Sequence, residues 1–138
     1  MFRMLKALFV AIKAHKGQRD KGGKPYIFHP IKVALNVSGY SQRIVALLHD
    51  VIEDSNYKLG DLKFLKEDEK EALILLTRVD KQDYFDYIKS IRTNSIARSV
   101  KLADLDQNMN LKRLKIVSCE DLKRREKYEK ARKILLSE

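Results

Sequence analysis

After Gly60 the chain contains neither glycine nor proline. Its prolines, Pro25 and Pro30, and its glycines, Gly17, Gly22, Gly23, Gly39 and Gly60, all fall earlier. These two residue types are the strongest local breakers of regular structure, so the later part of the chain must be built from long uninterrupted elements. Apolar residues recur there at three- and four-residue spacing, the period of a helix rather than a strand. Helices are expected near residues 67–77, 83–92, 95–109 and 120–136. The run Ser99-Val100-Lys101-Leu102 has the length of a strand but reads better as helix.

The earlier part is punctuated. A first helix is expected over residues 3–17, followed by a loop at Asp20-Lys21-Gly22-Gly23-Lys24-Pro25. Pro30 is suited to open a second helix, where its missing N–H costs nothing. Gly39 is expected to end that helix and Ser41 to cap a third. The third carries Ile44, Val45, Leu47, Leu48, Val51 and Ile52, apolar on nearly all sides, and should be central and buried. In the last helix Glu126→Lys130 and Glu129→Lys133 have the favourable ion-pair spacing. Leu122, Tyr128, Ala131, Leu135 and Leu136 are expected to face the core. The expectation is an all-α fold, one helical bundle over residues 1–138.

Two histidines and two carboxylates stand where an ion site would need them. His49 and Asp50 are adjacent in the most apolar segment, and a carboxylate there is costly unless paired or metal-bound. Glu53 lies four residues after His49, and Asp54 four after Asp50. Carboxylates so close repel one another unless a cation holds them. His29, fixed by the turn before Pro30, can reach the same point from a neighbouring helix. Asp104 emerges from an apolar face behind Val100, Leu102 and Ala103. His29, His49, Asp50 and Asp104 form a mixed nitrogen and oxygen set. It suits Mn²⁺, Fe²⁺ or Zn²⁺ and not a structural thiolate zinc site.

These residues sit in stretches that resemble the HD-domain metal-dependent phosphohydrolases, and within them the RelA/SpoT-type alarmone hydrolase domain and its small stand-alone relatives. The stretches are Ala14-His15-Lys16-Gly17-Gln18, Gly23-Lys24-Pro25-Tyr26-Ile27-Phe28-His29-Pro30, Ala46-Leu47-Leu48-His49-Asp50-Val51-Ile52-Glu53-Asp54 and Val100-Lys101-Leu102-Ala103-Asp104. The resemblance implies an HD-type bundle in which His29, His49, Asp50 and Asp104 hold one metal ion, with Mn²⁺ expected. It implies that Glu53 and Asp54 activate or position the attacking water, and that Asn108 lies near the substrate ribose. His15 matches a family histidine that is not a ligand. The implied activity is removal of the 3′-pyrophosphate from guanosine 3′,5′-bis(diphosphate), ppGpp. A synthetase domain is not expected.

Two departures from the family pattern bear on the substrate. Asp20 stands where the long alarmone enzymes carry a basic residue, and Leu105-Asp106-Gln107 replaces a basic-Leu-aromatic run. An HD nucleotidase or phosphodiesterase with another substrate therefore remains an alternative, as does a non-catalytic nucleotide-binding module.

The net charge of +10 is unevenly spread, with the acids gathered in the middle of the chain and both ends basic. A basic surface attracts phosphates. Arg19, Lys21 and Lys24 flank His29 in the loop and are candidates to hold the outer phosphates of a substrate. The basic residues of the last helix are interrupted by acids and lack an aromatic stripe beyond Tyr128, which argues against nucleic acid and for a solvated face. No apolar run reaches the roughly 20 residues of a membrane span. The apolar start continues through Ala11-Ile12-Lys13-Ala14-His15 without a small-residue cleavage site, so it reads as a helix and not a signal peptide. Cys119 is the only cysteine, which suits a reducing cytoplasm. The expected partner is a nucleotide or other phosphate-ester substrate; no membrane is expected, and a homo-oligomer is compatible with the sequence.

Overall fold

A computed structural model describes residues 2–110, 114 and 116–137. Its helices are α1 (Phe2–Ala14), α2 (Phe28–Leu35), α3 (Tyr40–Leu48), α4 (Val51–Asp54), α5 (Glu67–Leu76), α6 (Tyr84–Arg92), α7 (Ser95–Asn108) and α8 (Cys119–Leu136). A short 3-10 turn spans Leu59–Asp61. Among the described residues there is no strand, only an isolated bridge between Arg19 and Pro25 that closes the glycine-rich loop. The fold is an all-helical bundle, as the unpunctuated later sequence demands.

Helix α3 is the central post. Ile44, Val45, Ala46, Leu47 and Leu48 are all buried, and α1, α2, α5 and α7 pack around it. Helices α6 and α8 pack on each other and on α7, closing the far side. The later helices begin where side chains satisfy their free N–H groups. Asp83 accepts from the N–H groups of Phe85 and Asp86, Asn94 from Ala97, and Ser118 from Asp121.

Several local expectations are corrected. Helix α1 stops at Ala14, and α2 starts at Phe28, which places Pro30 third, still among the residues whose N–H has no helical partner. Gly39 does not end α2, which closes at Asn36; it precedes α3 instead, at φ 99°. That φ strains any residue with a Cβ, so the position favours glycine; the Gln42 side chain, which a Cβ would meet, is flexible and can move aside. Ser41 lies inside α3 and is not its cap; its hydroxyl donates to Glu69 at 2.6 Å. On α8, Ala131 and Leu135 are buried, whereas Leu122 and Leu136 are 50% and 55% exposed. The ion pair at i,i+4 spacing there joins Arg125 and Glu129.

The correction with most bearing on the site concerns the third helix. The apolar run through Ile52 suggests one continuous helix, but it breaks at His49-Asp50. The Ala46 carbonyl, which a continuing helix would offer to the N–H of Asp50, accepts instead from His49 Nδ1 at 2.5 Å and faces the His49 N–H at 3.5 Å. Asp50 turns out at φ −105° and ψ −3°, then serves as the N-cap of α4.

Glu69 is fully buried and ties three helices together. It accepts from Arg3 of α1 at 2.5 and 3.2 Å, from Ser41 of α3 and from the N–H of Lys66. Burial alone would raise its carboxyl, but these donors hold it below the ordinary range. A depressed carboxyl stabilises the fold above its unfolded pKa, near 4.3, and that contribution is lost as pH falls through the lower folded value. Glu69→Ala is expected to cost about 3 kcal/mol in urea unfolding at neutral pH, with the deficit shrinking in acid.

Candidate metal centre

His29 of α2, His49 at the end of α3 and Asp104 of α7 are buried at one point, and each offers an atom within 4.8 Å of the other two. His29 Nε2 lies 2.7 Å from Asp104 Oδ1, and His49 Nε2 lies 3.4 Å from the same oxygen. Asp50 completes the rim, its Oδ2 at 3.0 Å from His49 Nε2 and 4.0 Å from His29 Nε2. Ligand bonds of about 2.1 Å put neighbouring donor atoms roughly 3 Å apart, so these separations match a shared cation.

The protonation pattern fits as well. Because Nδ1 of His49 donates to the Ala46 carbonyl, neutral His49 presents the lone pair of Nε2 to the centre. That atom is buried and hydrogen-bonded to nothing, although two carboxylates lie close by. Burial opposes a charge on His49, yet Asp50 and Asp104 outweigh it and hold the imidazole pKa well above the ordinary value. Asp104 is drawn well below the usual range against its burial, chiefly by the Lys101 ammonium. Asp50 falls to about 2 against its burial, chiefly through His49. A pocket that holds a proton this strongly is a pocket for positive charge. The described residues contain a His-His-Asp cluster able to coordinate a divalent metal. Binding must displace the His49 proton, so Mn²⁺ affinity is expected to weaken as pH is lowered. Calorimetry in buffers of different ionisation enthalpy should show proton release near neutral pH; its absence would count against the site.

Neighbouring side chains hold these groups in place. Asp104 Oδ2 accepts from buried Lys101 Nζ at 2.9 Å, and its Oδ1 also accepts from Asn108 Nδ2 at 3.0 Å. The Tyr26 hydroxyl donates to Asp50 Oδ2 at 2.5 Å. Glu53 and Asp54 sit on α4, the short helix that Asp50 caps. Burial raises the pKa of both, and Asp50 adds to the shift, although the Arg78 N–H bonded to Glu53 Oε1 opposes it there.

Beside the centre is a pocket of about 230 Å³, lined by Tyr26 and Asn108, the partners of Asp50 and Asp104, and by Arg19, Lys21, Arg124 and Arg125. Of the loop cations, Arg19 and Lys21 line it; Lys24 does not, its backbone N–H closing the loop onto Asp20. Sequence reasoning missed Arg124, Arg125 and Tyr128, which α8 brings to the pocket wall. No periodic signal marks that face of α8; the contact that shows it is long-range, Lys21 with Asp121 at 3.8 Å. Asp20 also lines the pocket, whereas Asp106 points across to α8 and pairs with Arg132 at 3.1 Å.

No family model matches the chain. It is 35% identical over 124 residues to the guanosine-3′,5′-bis(diphosphate) 3′-pyrophosphohydrolase of Borreliella burgdorferi, which covers 77% of this chain and 18% of that protein. It is 42% identical over 67 residues to the bifunctional (p)ppGpp synthase/hydrolase SpoT of Escherichia coli, 46% of this chain and 10% of that one. The chain thus spans under a fifth of the length of these relatives. The structure of a metazoan orthologue of SpoT superposes with a TM-score of 0.82, covering 99% of this chain and 87% of that chain at 23% identity, a likeness of fold. With the buried His-His-Asp cluster at its centre and a related sequence over most of its length, the chain is an HD-domain protein homologous to a part of the RelA/SpoT enzymes.

Proposed function

We propose that the chain is a metal-dependent phosphohydrolase that removes the 3′-pyrophosphate from guanosine 3′,5′-bis(diphosphate), with Mn²⁺ as the working ion in a reducing cytoplasm. The observation that carries this reading is the adjacency of two features: a buried His-His-Asp cluster, and a pocket whose wall carries four cationic side chains, Arg19, Lys21, Arg124 and Arg125. The cluster supplies phosphoryl chemistry and the cations bind anionic substrate. The named pyrophosphohydrolase relatives supply the substrate.

His29, His49 and Asp104 would hold the ion, with Asp50 as a fourth ligand. When bound, the ion would lower the pKa of a water from 15.7 towards about 7 and neutralise charge on the phosphoryl oxygens. Lys101 occupies Oδ2 of Asp104 and so leaves Oδ1 to face the two imidazoles. Tyr26 holds Asp50 differently, donating to Oδ2, the same oxygen that faces the imidazoles. Glu53, with Asp54 beside it, takes the proton from the attacking water; burial has moved both carboxyls towards the basicity such a role needs. Arg19, Lys21, Arg124 and Arg125 hold the phosphates, and Asn108, bridging pocket and centre, lies where the ribose would pass.

A second reading is favoured by Asp20. This carboxylate lies in the same pocket wall, which suits a substrate with less negative charge at that end, such as an ordinary nucleotide or a phosphodiester. A panel of ppGpp, nucleoside mono- and triphosphates and a generic phosphodiester, with and without Mn²⁺, separates the two. Guanosine diphosphate and pyrophosphate released from ppGpp, with the other substrates spared, are the expected result. Turnover of the others alone would replace the first reading by the second.

A further inference from the structure

Gln18 belongs to neither the metal cluster nor the substrate pocket, yet its side chain ends on the segment that carries Glu53 and Asp54. Its Nε2 donates to the main-chain carbonyl of Asp54 at 2.8 Å and more weakly to that of Ala14 at 3.3 Å. An amide that donates to two carbonyls must turn its oxygen the other way, and that oxygen meets His15 Nδ1 at 2.8 Å. Since Oε1 can only accept, Nδ1 of His15 carries the proton. His15 is 2% exposed and its ring lies against Tyr26, so the group that orients the Gln18 amide is itself fixed. The backbone of Gln18 is tied as well, its carbonyl accepting from the N–H of Tyr26 at 2.9 Å.

The place where this tether lands matters. Helix α4 has four residues, a single turn, and a lone turn of helix has almost no stability of its own. Its geometry is set by what anchors it. Val51 is buried at its start, and Gln18 takes up a carbonyl at its end that no helical N–H can reach. We propose that Gln18, keyed by His15, is a positioning residue that fixes the end of α4 and so aims the carboxyls of Glu53 and Asp54 at the metal centre. Its catalytic consequence rests on the phosphohydrolase reading; the tether does not.

Gln18→Glu tests this with little change of shape, because it keeps an oxygen for His15 and replaces the donor to Asp54 by an acceptor. Gln18→Leu removes both bonds. In each, kcat is expected to fall on the order of 10–100-fold, the usual effect of a slight misplacement of reacting groups. KM and Mn²⁺ affinity should hold, since the pocket and the cluster are untouched. Amide hydrogen exchange should quicken in residues 51–56 and stay unchanged in α7, with the melting temperature held. Unchanged kcat overturns the proposal, as does a loss confined to KM or to Mn²⁺ affinity. Loss of the fold in both variants overturns it too, because the bond would then serve the whole bundle and not α4. If the wild-type chain hydrolyses no phosphate ester, the phosphohydrolase reading fails, and exchange in residues 51–56 alone decides whether Gln18 fixes α4.

Discussion

Asp104→Asn is expected to abolish Mn²⁺ binding and to lower turnover by about 10³-fold or more, since generation of the nucleophile at neutral pH depends on the ion. Among the described residues, Asp104 alone has atoms that meet both imidazoles and a largely buried ammonium. Asparagine keeps the shape but supplies no charge. The same substitution should weaken the metal-free fold by about 3–5 kcal/mol, because Lys101 would remain buried without the carboxylate that balances it. Burial pushes the Lys101 ammonium towards neutrality, and Asp104 more than reverses that push. Adding Lys101→Met should therefore recover most of the stability while restoring neither metal nor activity. Urea unfolding with EDTA present and calorimetric titration with Mn²⁺ measure the two effects separately. Wild-type Mn²⁺ affinity in Asp104→Asn would show that the ion lies elsewhere.

Glu53→Gln should reduce kcat by about 10²–10⁴-fold, the range expected for a lost general base. Mn²⁺ affinity should change little, because Glu53 stands outside the His-His-Asp cluster. The substitution is structurally mild, since glutamine keeps an oxygen to accept from the Arg78 N–H, the bond that docks the segment after α5. The pH–rate profile gives an independent check. A base must be unprotonated to act, so activity is lost as pH falls through its pKa. Burial, Asp50 and Asp54 raise that of Glu53, placing the acid limb of wild type above the ordinary glutamate range. In Glu53→Gln that limb should vanish from the residual rate. Full activity in the variant would mean that another group, with Asp54 first in line, takes the proton.

The helical order and the members of the His-His-Asp cluster were legible because each leaves a local mark. Helices α5 to α8 follow from apolar spacing, and their ends fall within a residue or two of the periodic runs; the caps at Asp83, Asn94 and Ser118 are seen only in the structure. His49 and Asp104 stood out as polar groups in apolar segments and His29 by its place before Pro30, and the structure brings the three together. What was not legible depends on tertiary competition for particular atoms. The break after Leu48 follows from His49 Nδ1 claiming the Ala46 carbonyl, which no periodicity records. The reading of Gly39 as the end of α2 fails because its positive φ serves the turn into α3 instead, which residue identity alone does not show. The role of Arg124 and Arg125 was hidden because the face of α8 towards the pocket is as charged as the face towards solvent.

The interruption between α3 and α4 sets a limit on engineering this protein. Residues 49 and 50 are where helix-favouring substitutions such as His49→Ala or Asp50→Ala would look attractive, since alanine has the higher helix propensity and loss of the His49 ring also frees the Ala46 carbonyl, favouring one rod from Tyr40 to Asp54. A library ranked by heat resistance alone would be drawn towards them. On the function proposed above, each such winner would be a sturdier scaffold with a weakened ion site, so selection for robustness here must carry a functional screen at every round.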